Sequence, residues 1–430
     1  MVATPCAVPR LSSGSRLEIV GVVIAIIVAY LYLQRRRVHH LHNVQRLPNP
    51  PGPKPAPIIG NLFDIPREKE SAAYNKMAND YGDLTYLNVL GKSILVVNNY
   101  TTVQELFDKR SANYSDRYQA PMTELMGWSW NFGLMSYGIL CISHQNSQQS
   151  VGSRWKMHRA MFHRQFQSST VSVFWPTQLK EAHKLLRRIL HNPKDLANHL
   201  RFNSAGIIMN VAYGIEIEDK DDHYITVAET ALDGMAKAAN PGAFLVDIFP
   251  ILKYVPSWIP GADFQRKAAF WRKSVLEMRD APFETVTKAR KFGISTSSFA
   301  SNLLADLELR RDLDEVSLAK ELETIRNCAG LAYAAGTESI ASSLSSFMLA
   351  MMLYPEVQEK ARQELDAVVG LERLPDFSDR GTLPYIDAVV KEVFRWNPVA
   401  PLGLPHMTTK DDEFKGYHIP AGTLVLGNSW

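Results

Sequence analysis

Glu392-Val-Phe-Arg395-Trp-Asn-Pro-Val-Ala-Pro-Leu-Gly-Leu-Pro-His406 is the stretch whose reading decides the fold. Its first four residues set a carboxylate and a guanidinium three apart, on one face of a helix. The spacing alone says little, since Glu308/Arg311, Glu323/Arg326 and Glu359/Arg362 repeat it. The surroundings differ. Apolar Ile386, Val389, Val390 and Val393 flank Glu392 and Arg395, and a proline-punctuated run then ends the helix. A charge pair in that setting is expected to be buried and networked, and the other three are expected to be solvated surface pairs.

Upstream, the pattern is helical from about Val316 to Leu353, breaks at Pro355, resumes to Val369, and opens a third helix near Pro384. Ala334-Ala-Gly-Thr-Glu-Ser339 falls inside the first of these. Glycine costs a helix interior about 1 kcal/mol, so Gly336 needs a reason. Two readings stand. The small side chains of Ala335 and Gly336 open a groove for a small ligand, with Glu338 and Ser339 beside it for proton delivery; or the glycine is a helix-packing notch. Earlier in the chain, Leu84, Tyr86, Asn88 and Leu90, then Ile94 to Val97, read as two strands turning at Gly91-Lys92. The fold class is therefore mainly α with small β-sheets.

The N-terminal half of the domain plan comes from hydropathy and charge. Residues 1–16 are expected to be a short N-terminus, and 17–34 a transmembrane helix serving as signal anchor, uncharged from Ile19 to Leu33 and about 25 Å long. Arg35, Arg36 and Arg37 follow, which places this flank in the cytosol and residues 1–16 in the lumen. A cleaved signal peptide is the alternative, but no small-x-small site follows Leu33. Residues 35–58 are basic, then proline-rich from Pro48 to Pro57, which suits a stiff spacer orienting a domain on a bilayer. A proline-rich docking ligand is its rival. His39, His40 and His42 read as a solvated face beside the membrane, and no metal-ligand set is assigned.

Composition excludes several classes. Lys+Arg 47 against Asp+Glu 44 gives no electrostatic footprint for nucleic acid. Three scattered cysteines, Cys6, Cys141 and Cys328, make neither a disulfide framework nor a zinc site.

Taken in order, these motifs resemble the cytochrome P450 family, microsomal and fungal in type. Glu392-x-x-Arg395 with the run to His406 is similar to its K-helix and following strand. Ala335-Gly-Thr-Glu-Ser339 resembles its oxygen-groove motif, Trp155-Lys-Met-His-Arg159 its C-helix motif, and the anchor with proline hinge its N-terminus. The resemblance implies a cytochrome P450-like catalytic domain over 59–430 and a haem cofactor. It implies a monooxygenase that inserts one oxygen atom of O2 into an apolar small molecule, with NADPH-cytochrome P450 reductase as electron donor. The location implied is the endoplasmic reticulum membrane, single-pass, with the domain cytosolic. Trp155, Arg159 and His406 would meet haem propionates, while Ala335 and Gly336 flank oxygen. Glu338 and Ser339 would relay protons, and Glu392 with Arg395 would brace the core. Phe244 to Pro260, with Phe249, Tyr254, Trp258 and Ile259, resembles the loop over the substrate entrance; a buried aromatic loop is the other reading.

Three departures modify that expectation. Ser339 stands where the family usually has threonine. Residues 139–154 separate Tyr137-Gly138 from Trp155, where the family has about two, and the excess reads like a translated intron or a disordered loop. The family's Phe-x-x-Gly-x-x-x-Cys loop is absent, so the domain is expected to be C-terminally incomplete and its haem not stably thiolate-ligated. The alternative function is a haem-free membrane protein, inactive or binding apolar ligands.

Overall fold

The computed structural model describes residues 43, 45–137, 151–218, 222–239 and 242–430. The expected anchor at 17–34 and most of the insert at 139–154 lie outside the described residues. Two compact units are present, one comprising 1–50 with 410–421 and the other 51–409 with 422–430.

In the larger unit, besides the short helices Tyr100–Gln104 and Ser111–Tyr114, the helices are α1 (Glu70–Tyr81), α2 (Pro121–Leu125), α3 (Val151–Phe166), α4 (Trp175–His191), α5 (Leu196–Tyr213) and α6 (His223–Ala239). They continue with α7 (Leu245–Ile248), α8 (Asp263–Lys291), α9 (Phe299–Leu309), α10 (Glu315–Leu353), α11 (Pro355–Val368) and α12 (Pro384–Trp396). Helix α10 is the axis of the unit and packs against α3, α5, α8 and α9. Its start is fixed by Asp314, whose side chain accepts from the Ser317 amide, and its end by Tyr354-Pro355. The three helices expected from the apolar pattern are those observed as α10, α11 and α12.

The sheet of this unit runs β1 (Leu84–Val89), β2 (Lys92–Val97), β7 (Leu424–Gly427), β4 (His406–Met407), β3 (Asp116–Arg117). β1 and β2 form the expected antiparallel hairpin, from Leu84↔Val97 to Val89↔Lys92, and β7 joins β2 in parallel. From Pro51 onward the proline-rich stretch lies along the edge of β1, where the Pro51 carbonyl accepts from the Tyr86 amide. A Cβ on Gly52 would stand 1.9 Å from the Tyr86 carbonyl oxygen, so only glycine admits this approach.

In the smaller unit, β5 (Asp412–Phe414) and β6 (Tyr417–Ile419) make a hairpin, and the His418 amide donates to the Pro48 carbonyl. Among the described residues no single helix is long and apolar enough to cross a membrane.

Candidate active site

Helix α3 presents Trp155 and Arg159 one turn apart. With Lys156, Ala160 and His163 they line an open recess of about 360 Å³. Arg159 is exposed, and no carboxylate among the described residues pairs with it; Arg154, one turn earlier, is bonded to Glu323 at 2.7 Å. An unpaired guanidinium beside an indole N–H, an ammonium and an imidazole is a donor set for a carboxylate or phosphate.

Trp155 is tied to the sheet by a short chain of contacts. The Tyr137 ring meets the Trp155 indole edge-on at 4.8 Å, and the Tyr137 amide donates to Asp116 Oδ1 at 2.9 Å. Ser136 Oγ donates to the same oxygen. Asp116 and Arg117 form β3, in which Arg117 is the register partner of His406. So the two expected propionate contacts, on α3 and on β4, are linked through Tyr137 and Asp116.

His406 is half-buried. It stacks on Phe107 at 4.4 Å, and its Nδ1 lies 2.6 Å from the Tyr114 carbonyl. A carbonyl only accepts, so Nδ1 carries the proton. Donation to a carboxylate therefore requires a second proton on Nε2. Burial and neighbouring Arg117 oppose this by lowering the ring's pKa, against a smaller upward pull from the Tyr114 bond. Arg117 itself donates to the Leu404 and Pro405 carbonyls at 2.7 and 3.0 Å and so holds the approach to β4. Sequence reasoning missed this arginine, because a lone Asp-Arg pair in a two-residue strand carries no periodic signal.

On α10, Ala335 and Glu338 are exposed and Ser339 is half-buried beside them. Glu338 has no partner among the described residues. Ser339 Oγ donates to the Ala335 carbonyl at 2.7 Å, and Ser343 Oγ to the Ser339 carbonyl at 2.8 Å. Gly336 faces the other way. A Cβ there would lie 2.9 Å from Cδ1 and Cγ1 of Ile208 on α5. Helix packing thus accounts for the glycine, and the expected groove is reduced to the open face of Ala335 and Ser339.

The expected burial of Glu392 and Arg395 is corrected. The pair forms, with Arg395 Nε donating to Glu392 Oε2 at 2.7 Å, but the side chains are 57% and 71% exposed. Each holds the other in its charged form: the Arg395 bond lowers the Glu392 pKa, and the Glu392 bond raises that of Arg395. The apolar residues that suggested burial lie largely on the opposite face of α12, where Val389 and Val393 pack against Ala350 and Met351 of α10. Of the other three spacings, only Glu359 and Arg362 pair with each other, at 2.8 Å. Glu308 is taken by Arg290, Glu323 by Arg154, and Arg326 lies by Asp280.

The segment expected to be either the loop over the substrate entrance or a buried aromatic loop is buried at Val246 and Asp247 and largely exposed from Phe249 onward. Trp258 is 78% and Tyr254 72% accessible, and Phe249, Ile251 and Leu245 join them. Its near end is pinned, since Lys92 Nζ and Tyr118 Oη both donate to the Asp247 carbonyl.

The cytochrome P450 family profile matches residues 50–430. This chain belongs to the cytochrome P450 family. It is 42% identical over 383 residues to cytochrome P450 monooxygenase COX2 of Coprinopsis cinerea, which covers 89% of this chain and 69% of that protein. It is 41% identical to a cytochrome P450 monooxygenase of Armillaria gallica, over 89% of this chain and 72% of the relative. It is 38% identical to the tryptamine 4-monooxygenase of Psilocybe cyanescens, over 90% of this chain and 73% of that protein.

The cytochrome P450 cofactor is haem, whose two propionates suit the donors of α3. The iron's sulfur ligand is a different matter. Cys328 is fully buried in α10, its Sγ facing the His158 carbonyl at 3.5 Å, and burial pushes the thiol pKa far up, so it is no thiolate. Cys6 and Cys141 lie outside the described residues.

Proposed function

We propose that this protein is a membrane-anchored, haem-dependent monooxygenase that inserts one atom of O2 into an apolar organic substrate, with electrons from NADPH-cytochrome P450 reductase. The observation that carries the reading is the unpaired Arg159 beside Trp155 on the α3 recess, in a chain of this family. Family membership weighs against the haem-free alternative.

Bound haem supplies the oxygen chemistry. The chain's own groups do the rest. Arg159 and the Trp155 N–H hold carboxylates by charge-assisted bonds. Ser339 spends its proton on the Ala335 carbonyl, which leaves its oxygen lone pairs to accept a hydrogen bond on the open face. Glu338, exposed one residue away, sets a carboxylate at the edge of that face, open to water. The exposed Phe249, Ile251, Tyr254 and Trp258 support a bilayer-facing entrance and the endoplasmic reticulum as location, because tryptophan and tyrosine favour the interface.

The test uses microsomes bearing the protein, with haem, NADPH, the reductase and a panel of apolar substrates under ¹⁸O₂. Product carrying one labelled oxygen is expected. Haem bound and reductase active, with no labelled product from any substrate, would overturn the reading. Protease protection in sealed vesicles tests the topology: the domain should be digested from the cytosolic side.

A further inference from the structure

His158 lies between Trp155 and Arg159 on α3 and points into the interface with α10. It is fully buried, as is Asn327 on α10. Nδ1 of His158 stands 2.8 Å from the Arg154 carbonyl, and Nε2 stands 3.2 Å from Asn327 Nδ2. The tautomer follows from the chemistry of the partners. A carbonyl cannot donate, so Nδ1 carries the proton, and in the neutral ring Nε2 must then accept from the Asn327 amide. The ring is thus bonded along its own helix on one side and across to α10 on the other. Phe132 covers it at 5.8 Å, and Cys328 Sγ faces the His158 backbone carbonyl. Asn327 Oδ1 has no partner, which leaves the amide committed to His158 on its nitrogen side.

We infer that His158 is a positioning residue: its Nε2–Asn327 bond sets the rotation of α3 on α10 and thereby aims Trp155 and Arg159 at the carboxylates they bind. A helix seated by apolar contacts alone can slide or roll by a fraction of a turn. A single directional bond between two buried polar groups removes that freedom, because any roll strands both groups without a partner. Arg159 follows His158 directly, so its Cα direction is fixed by the same bond. The inference rests on the α3 recess being a carboxylate site, as proposed above.

The two ring nitrogens can be replaced separately. Asparagine puts a donor where Nδ1 stands and keeps the bond within α3, but loses the one to Asn327. Glutamine puts an acceptor where Nε2 stands and keeps the bond to Asn327. The full chain is titrated with zinc protoporphyrin IX and with its dimethyl ester, followed by quenching of tryptophan fluorescence. The diacid should bind the unaltered chain better than the ester. His158→Asn should lower diacid affinity about tenfold and leave ester affinity unchanged, which also reports that the fold is intact. His158→Gln should keep the preference for the diacid. Asn327→Leu, which removes the donor from the other helix, should reproduce the loss seen with asparagine. Equal diacid binding by the asparagine and glutamine variants overturns the role of His158 while leaving the carboxylate site standing. No preference for the diacid in the unaltered chain overturns the site, and the inference with it.

Discussion

The ring of Tyr137 stands edge-on against the indole of Trp155 with centroids 4.8 Å apart, although the chain passes through residues 138–154 between them. Two residues that flank the insert therefore already meet. Trp155 thus keeps its place on the Tyr137–Asp116–β3 connection.

Deleting residues 140–150 should accordingly leave the fold and the α3 recess unchanged. Shortening a loop between fixed ends favours the folded state by about 1 kcal/mol at most. Thermal unfolding and diacid porphyrin affinity check this. An unfolding midpoint equal to or slightly above that of the full chain is expected; a clear fall would mean the insert supports α3.

Gly336 and Ile208 give a sharper test of packing. A methyl group at Gly336 would press on Cγ1 and Cδ1 of Ile208. Gly336→Ala should destabilise by about 1–3 kcal/mol, less the roughly 1 kcal/mol that alanine gains in a helix. In an Ile208→Ala background the penalty should vanish and the alanine should stabilise. Denaturant titration of the four proteins reads the coupling directly, and additive effects would place the glycine's role elsewhere.

Glu392–Arg395 and Glu359–Arg362 are both exposed helix pairs. Arg395→Ala and Arg362→Ala should therefore shift the unfolding midpoint by similarly small amounts, and less still in high salt. A much larger loss at Arg395 would restore the burial expected from its apolar neighbours.

The pH dependence follows from His158. Burial lowers its pKa below the ordinary 6.5, so the unfolded chain takes up the proton first. Its contribution to stability is complete above about 6.5 and is lost as pH falls below that value. The bond to the Arg154 backbone carbonyl opposes the lowering, the Arg154 charge adds a smaller push in the same direction as burial, and Glu323 on α10 opposes it. Unfolding midpoints measured from pH 7.5 down to 5.5 should fall, and fall less steeply in His158→Gln. Parallel curves would assign the acid sensitivity to other groups, His406 among them.

Much of the fold was legible because its signals are local. Pro355 opens α11 and Pro384 opens α12, Gly91-Lys92 closes the hairpin, and the apolar run places α10. Burial of Glu392 was misread because a helix can be apolar on one face and charged on the other within the same thirteen residues. The contacts that hold the candidate site were invisible for a different reason. Asp116 to Tyr137, Arg117 to Leu404, and His158 to Asn327 join residues far apart in sequence, with no spacing rule to announce them. His158 stood inside a recognised motif, yet only its partner on α10 gives it a role.

The most direct test of the account is whether Arg159 binds carboxylate. The ratio of affinities for zinc protoporphyrin IX and its dimethyl ester is measured for the unaltered chain, for Arg159→Gln, and for Arg154→Gln, whose arginine is engaged by Glu323. A charge-assisted bond of about 1.5–3 kcal/mol corresponds to roughly a ten- to hundredfold preference for the diacid. That preference should be present in the unaltered chain and in Arg154→Gln and should collapse in Arg159→Gln. If Arg159→Gln keeps the preference, the α3 recess is not where this protein holds its cofactor's carboxylates.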